Sequence, residues 1–128
     1  MHVYLNGKIV TEKKATVSVN DHGFLYGDSV YETLRTINGS IWLLSEHLRR
    51  LKRSLKTTGI TLNFTKHEIE SVVSKLMRKN SLKEARIRIT ISRGINGGDF
   101  SSCKKAALLI QTLKLKLPTA EKINKGAK

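Results

Sequence analysis

One cysteine, Cys103, occurs in the 128 residues, so neither an internal disulfide nor a cysteine-based zinc site can form. The four histidines, His2, His22, His47 and His67, lack the spacing of a ligand set, and no metal site is expected. No apolar run reaches the roughly 18 residues that read as a membrane helix, and the first residues show no charged segment leading into an apolar core. Neither a span nor a signal peptide is expected, and a cytoplasmic location is the default. Internal repeats and low-complexity tracts are absent. The glycine-rich stretch Gly94 to Ser102 contains neither GxGxxG nor GxxxxGK, so it carries no phosphate-loop signature. Acidic residues are scarce: ten Asp and Glu stand against 24 Lys and Arg, a formal charge of +14. Such a charge attracts phosphates, acidic substrates or nucleic acid, and lysine used for solubility explains it equally. Part of it is terminal, because Lys114, Lys116, Lys122, Lys125 and Lys128 all fall in the last stretch.

What is present suits one soluble domain with a real core: 39% hydrophobic residues and a mean hydropathy of -0.28. Asn6-Gly7, flanked by Val3, Tyr4, Leu5 and by Ile9, Val10, predicts a hairpin over Val3 to Val10. Thr11 to Lys14 reads as a polar bend, and Thr16 to Val19 alternates as a short half-buried strand. Val30, Glu32, Leu34 and Thr36 alternate with Tyr31, Thr33, Arg35 and Ile37, and Asn38-Gly39 turns this strand into Ile41 to Leu43.

Ser45 is the expected N-cap of a basic amphipathic helix with Leu48, Leu51 and Leu55 on its inner face and Gly59 as its stop. Thr65 to Glu68 is a capping box, followed by Ile69, Val72, Val73, Leu76 and Met77 at helical spacing, with Asn80 as a left-handed stop. Ala85 to Arg93 alternates, with Ile87, Ile89 and Ile91 on one face and Arg86, Arg88, Thr90 and Ser92 on the other. Ala106 to Leu113 is an apolar run suited to a central strand, and after Pro118 the chain has almost nothing to bury. The order of elements predicts an α+β domain, a largely antiparallel sheet with two helices packed on one face.

Three features could carry chemistry. Residues 20 to 35, NDHGFLYGDSVYETLR, are irregular: Gly23 and Gly27 permit positive φ or close approach, and Phe24, Tyr26 and Tyr31 surround them. This is either a site or an ordinary connection. On the first helix Arg50 falls beside the apolar seam, flanked by His47 and Ser54, where it could grip a phosphate through two parallel hydrogen bonds or simply be solvated. Arg86 and Arg88 project from one strand face about 7 Å apart, able to receive a carboxylate or to lie solvated on the sheet.

These segments together resemble the amino-terminal domain of the class IV, fold-type IV pyridoxal-phosphate enzymes, which include branched-chain aminotransferases, D-amino-acid aminotransferases and aminodeoxychorismate lyases. The resemblance runs through YLNGKIV at 4 to 10, DHGFLYGDSVYETLR at 21 to 35, NGSIWLLSEHLRRLKRS at 38 to 54 and RIRITISRG at 86 to 94. It implies that Arg50 matches the family's arginine for the phosphate of pyridoxal 5'-phosphate. Tyr26 and Tyr31 match positions lining the cofactor and substrate pocket. Arg88 matches an arginine that branched-chain enzymes keep, and Arg86 stands in the same pocket where a tyrosine is expected.

By the same resemblance residues 1-117 form an amino-terminal small domain and 118-128 begin an interdomain linker. The Schiff-base lysine, the carboxylate that pairs with the pyridine nitrogen and the other phosphate-binding loops belong to a larger carboxy-terminal domain. No catalytic residue is therefore expected among these 128; Lys122, Lys125 and Lys128 read as solvated linker lysines. The chain alone is expected to be inactive and to bind cofactor weakly or not at all. Its expected partners are the carboxy-terminal domain and, in the full-length enzyme, a second subunit, without membrane or nucleic acid. A branched-chain-like substrate is favoured by Arg88. The lyase is the alternative, since SRGINGG resembles its pattern although Asp99 stands where an arginine is common. The D-amino-acid enzymes are disfavoured by a loop without their arginine and histidine. A small basic module binding nucleic acid or other anions is the reading from a different class.

Overall fold

The computed structural model describes residues 1–95 and 105–126. Two short hairpins open at Asn-Gly pairs, as the sequence predicts. Strands β1 (His2–Leu5) and β2 (Lys8–Thr11) flank Asn6 and Gly7 at φ 49 and 92, while β3 (Ser29–Ile37) and β4 (Ser40–Ile41) flank Asn38 and Gly39 at φ 52 and 79. Paired left-handed residues match the strand twist that two-residue hairpins need. Strands β5 (Ala85–Ser92) and β6 (Ala107–Lys114) complete one six-stranded sheet in the order β2-β1-β6-β5-β3-β4, with every pairing antiparallel.

Four helices accompany the sheet: α1 (His22–Tyr26), α2 (Leu44–Thr58), α3 (Lys66–Lys79) and α4 (Ala120–Asn124). Leu48, Leu51 and Leu55 of α2 and Ile69, Val73, Leu76 and Met77 of α3 are buried in one core with Val30, Leu34, Ile87, Ile89, Ile91 and Ile110 of the sheet. Register places Leu34 opposite Ile87 and Ile89 opposite Ile110, so these strand residues share a face and both long helices cover it. Fully burying each such side chain stabilises the fold by about 1.5–3 kcal/mol. The α+β class and the covered face agree with the pattern of alternating strands and amphipathic helices.

Several local expectations are corrected. Thr16 to Val19 forms no strand: Val17 and Val19 are 57% and 71% exposed, and no ladder partner among the described residues supports their alternation. Helix α2 starts two residues earlier than a Ser45 cap allows, at Leu44, with Leu43 at φ 54 as an N-cap that offers no side-chain bond. The second hairpin arm ends at Ile41. The capping box is present, with Thr65 Oγ1 accepting from Glu68 N and Glu68 Oε2 accepting from Thr65 N. Asn80, in contrast, is right-handed in φ at −92, and the left-handed residue is Ser81. The amide of Asn80 serves elsewhere, donating to the His2 carbonyl and to Thr112 Oγ1, while its Oδ1 accepts from His2 N. It thereby joins the end of α3 to β1 and β6. The stretch after Pro118 winds into α4, capped by Thr119, but buries no residue. Of the glycine-rich loop, residues 96–104 lie outside the described residues.

Candidate functional site

The irregular segment at 20 to 35 resolves into a capped turn of helix. Asp21, 5% exposed, accepts at Oδ1 from Gly23 N at 2.7 Å and Phe24 N at 3.3 Å, and at Oδ2 from Ser92 Oγ at 2.8 Å. One carboxylate thus caps α1 and ties it to the end of β5. Both glycines have the uses the sequence suggests, divided between them. A Cβ on Gly23 would lie 2.8 Å from Ser92 Cβ, so glycine permits close approach, whereas Gly27 at φ 67 closes the helix. Capping leaves Phe24, Leu25 and Tyr26 at 69%, 49% and 58% exposure, while His22 is buried with its ring edge-on to Tyr26.

Alternation divides the predicted site residues between two faces of the sheet. Val30, Glu32, Leu34 and Thr36 are buried on the helix-covered side; Tyr31, Thr33 and Arg35 point to the other. Register then sets Tyr31 against Thr90, Thr33 against Arg88 and Arg35 against Arg86. The Arg88 guanidinium lies over the Tyr31 ring, 4.1 Å from its centroid, a cation–π contact on the open face. Arg35 and Arg86 are a like-charge cross-strand pair, an arrangement that costs stability unless an anion joins it. Tyr31, Arg86 and Arg88 therefore form one cationic, aromatic surface, with Tyr26 on the adjoining α1.

Arg50 belongs to the other face. Its Nε donates to Glu32 Oε1 at 2.6 Å and its Nη2 to Glu32 Oε2 at 2.7 Å, a bidentate pair. His47 Nδ1 lies 2.8 Å from Glu32 Oε2 and donates, since an ionised carboxylate can only accept. Glu32 is 4% exposed, whereas the Arg50 side chain is 64% exposed. The Arg50 guanidinium is the main cause that holds the Glu32 carboxyl below its ordinary value; burial opposes it and the His47 hydrogen bond adds to it. The phosphate arginine suggested by resemblance is thus bonded along one edge to a buried acid. Its Nη1 meets no acceptor among the described residues.

A guanidinium presenting two terminal N–H groups fits the oxygens of a phosphate. Sequence reasoning placed His47 beside Arg50 but missed Glu32 as the acid that joins them, although an acid at a buried position in an apolar alternation was the available signal. It also missed Arg93, which forms an ion pair with Asp28 and donates from Nη1 to the Gly59 carbonyl at 3.2 Å. That clamp joins the end of β5 to the C-cap of α2. A cavity of about 460 Å³ opens elsewhere, lined by Tyr4, Leu62, Phe64, Val72 and Leu108, and none of the predicted site residues faces it. Of the terminal lysines, Lys125 pairs with Glu121 at 2.7 Å on the exposed α4.

An antiparallel sheet with two long helices on one face is a fold shared with solved enzymes. The structure superposes on the branched-chain amino acid aminotransferase of Escherichia coli with a TM-score of 0.80 and 26% identity, covering 89% of this chain and 40% of that one. The family profile described as amino-transferase class IV matches residues 29–127, and the chain belongs to that family. A Methanocaldococcus jannaschii protein provisionally named branched-chain-amino-acid aminotransferase is 44% identical over 110 residues, 84% of this chain and 38% of the relative. The aminodeoxychorismate lyase of Bacillus subtilis is 44% identical over 100 residues, 77% of this chain and 34% of the relative. The chain thus spans well under half the length of the relatives it matches.

Proposed function

We propose that these residues are the amino-terminal part of a pyridoxal-phosphate enzyme acting on amino acids, with a branched-chain-like substrate favoured. The observation that carries this reading is the bidentate Arg50–Glu32 pair, which leaves the terminal edge of an exposed guanidinium available to a phosphate. In this reading Arg50 binds the cofactor phosphate. Tyr26, Tyr31, Arg86 and Arg88 form a pocket wall, with Arg88 steadied by its stack on Tyr31 to receive a substrate carboxylate. When bound, the cofactor supplies an electron sink for the amino acid's α-carbon. The lysine that carries the cofactor belongs, on this proposal, to the remaining length that the relatives possess, and a full-length enzyme pairs with a second copy. Because Arg50 and the Tyr31–Arg88 surface lie on opposite faces, they serve one pocket only around the edge of β3. That edge lacks a strand partner along Ser29–Leu34 among the described residues, since β4 reaches only Thr36 and Ile37.

The similarity to the Bacillus subtilis lyase supports a second reading, elimination on an amino-bearing chorismate-type substrate by the same cofactor. The two share the phosphate arginine and differ in what the open face receives.

The test mixes the purified chain with pyridoxal 5'-phosphate, reduces with borohydride and maps any adduct, while transamination is assayed in parallel. The expected result is no adduct at a single defined lysine and no turnover. Phosphate-dependent binding, stronger for pyridoxal 5'-phosphate than for pyridoxal and lost in R50A, is expected by NMR titration. A defined lysine adduct with turnover contradicts the proposed inactivity, and equal binding of the two aldehydes contradicts the role of Arg50.

A further inference from the structure

From the cluster around Glu32 we infer that Glu32 and His47 are positioning residues, which fix the Arg50 guanidinium so that its outer edge meets a phosphate without first being ordered. The inference rests on the reading of Arg50 as the phosphate anchor.

Glu32 occupies a position that packing alone would give to an apolar side chain. Its neighbours on the same face of β3, Val30 and Leu34, are buried, and the facing residues of α2 are leucines. A buried carboxylate there loses hydration and is retained only with full pairing, and a hydrophobic residue of similar volume serves stability as well or better. Stability therefore does not account for Glu32. What a carboxylate provides, and a leucine cannot, is an aim for another side chain.

The pairing is one-sided in a useful way. Nε and one N–H of Nη2 are taken by Glu32 at 2.6 and 2.7 Å, and no other acceptor among the described residues engages the guanidinium. His47, one helical turn before Arg50, bonds the same Oε2 at 2.8 Å, so the carboxylate is held from two directions and its plane sets that of Arg50. Arg49 and Arg53, on the same helix, are exposed and make no hydrogen bond or ion pair among the described residues. A long side chain that is already ordered loses less freedom on binding, the usual gain from preorganisation.

Glu32 also subtracts charge, and removing it would strengthen attraction for any anion. The two effects separate with ionic strength: added salt screens the Coulomb part and leaves the ordering part. The experiment therefore uses the 128-residue chain at high salt, with inorganic phosphate and pyridoxal 5'-phosphate as probes. In the wild type the Arg50 Nε–H signal should be resolved and slowly exchanging, distinct from the averaged signals of Arg49 and Arg53.

In Glu32→Gln, where an amide N–H faces Nη2, that signal should collapse and both dissociation constants should rise about fivefold; His47→Asn should raise them about twofold. Phosphate binding in Glu32→Gln equal to or tighter than wild type, with R50A still abolishing it, overturns the positioning role and leaves the anchor reading intact. Binding unaffected by R50A overturns the anchor reading itself. Should Glu32→Gln not fold, the wild-type Nε–H signal and His47→Asn decide: an averaged signal, or no change in His47→Asn, overturns the inference.

Discussion

At Glu32 the pairing with Arg50 makes stability depend on acid pH. The carboxyl titrates below its ordinary 4.5 in the folded chain, chiefly through the Arg50 hydrogen bonds. Above 4.5 it is ionised in both states and its pairing contributes in full. As pH falls below that, the unfolded chain takes up the proton first, so stability drops until the depressed folded value is passed, where the contribution is gone. Glu84 behaves alike, held low mainly by the Thr36 hydroxyl. Urea midpoints followed from neutral pH down through the carboxylate range should therefore fall for the wild type and fall less steeply for Glu32→Gln, which keeps the Glu84 share and loses that of Glu32. Thr36, fully buried, donates to Glu84 and accepts from Ala85 N at 2.9 Å, so Thr36→Val strands the buried Ala85 N–H and takes one donor from Glu84, which keeps the Gly39 N–H. It should cost about 1–3 kcal/mol by chemical denaturation. The place of Arg50 beside the leucine seam was legible in the sequence because its neighbours on the helix are read locally. Its acceptor was not, because the partner lies 18 residues away on a strand, and periodicity reports which face a residue takes, not whom it meets.

Among elements, those specified by local chemistry were readable. Asn-Gly turns and the Thr65 capping box depend on four or five consecutive residues, and both formed where the sequence put them. Thr65→Ala should accordingly destabilise α3 by about 1 kcal/mol, measured as a lowered thermal midpoint. Thr16 to Val19 shows the converse, since alternation becomes a strand only beside a strand that can bond it. The start of α2 at a left-handed Leu43 was equally hidden, since that residue type gives no sign of the conformation. Gly94 belongs here too: at φ 90, a Cβ would lie 2.0 Å from the Lys105 carbonyl oxygen. Gly94→Ala should destabilise by upwards of about 2 kcal/mol, because backbone on both sides must shift.

For the whole molecule, the fold class and the covered face of the sheet followed from pattern, while the division of the site between two faces emerged only with the strand register. The faces left bare have a consequence in solution. Phe24, Leu25 and Tyr26 stand out from α1 as consecutive large apolar groups in contact with water, and Val17 and Val19 shortly before it are exposed as well. Light scattering of the isolated chain should show concentration-dependent association, and a Phe24→Ser, Leu25→Ser double variant should reduce it while leaving the thermal midpoint nearly unchanged.

Strand β6 sits between β1 and β5, although it comes latest in the sequence of the six described strands. Until residues 107–114 are available, the amino-terminal hairpin and the β5-β3-β4 half share no ladder, and each has a bare edge facing the other. The sheet is thus closed by its final strand, as a zip is closed by its slider. Pairing of Leu5 with Leu109 spans almost the whole chain, and contacts of such separation slow folding through the cost of closing the intervening loop. During synthesis the nascent chain must carry two unjoined half-sheets past Ser92, exposed to mispairing, before Ala107–Lys114 emerges to join them.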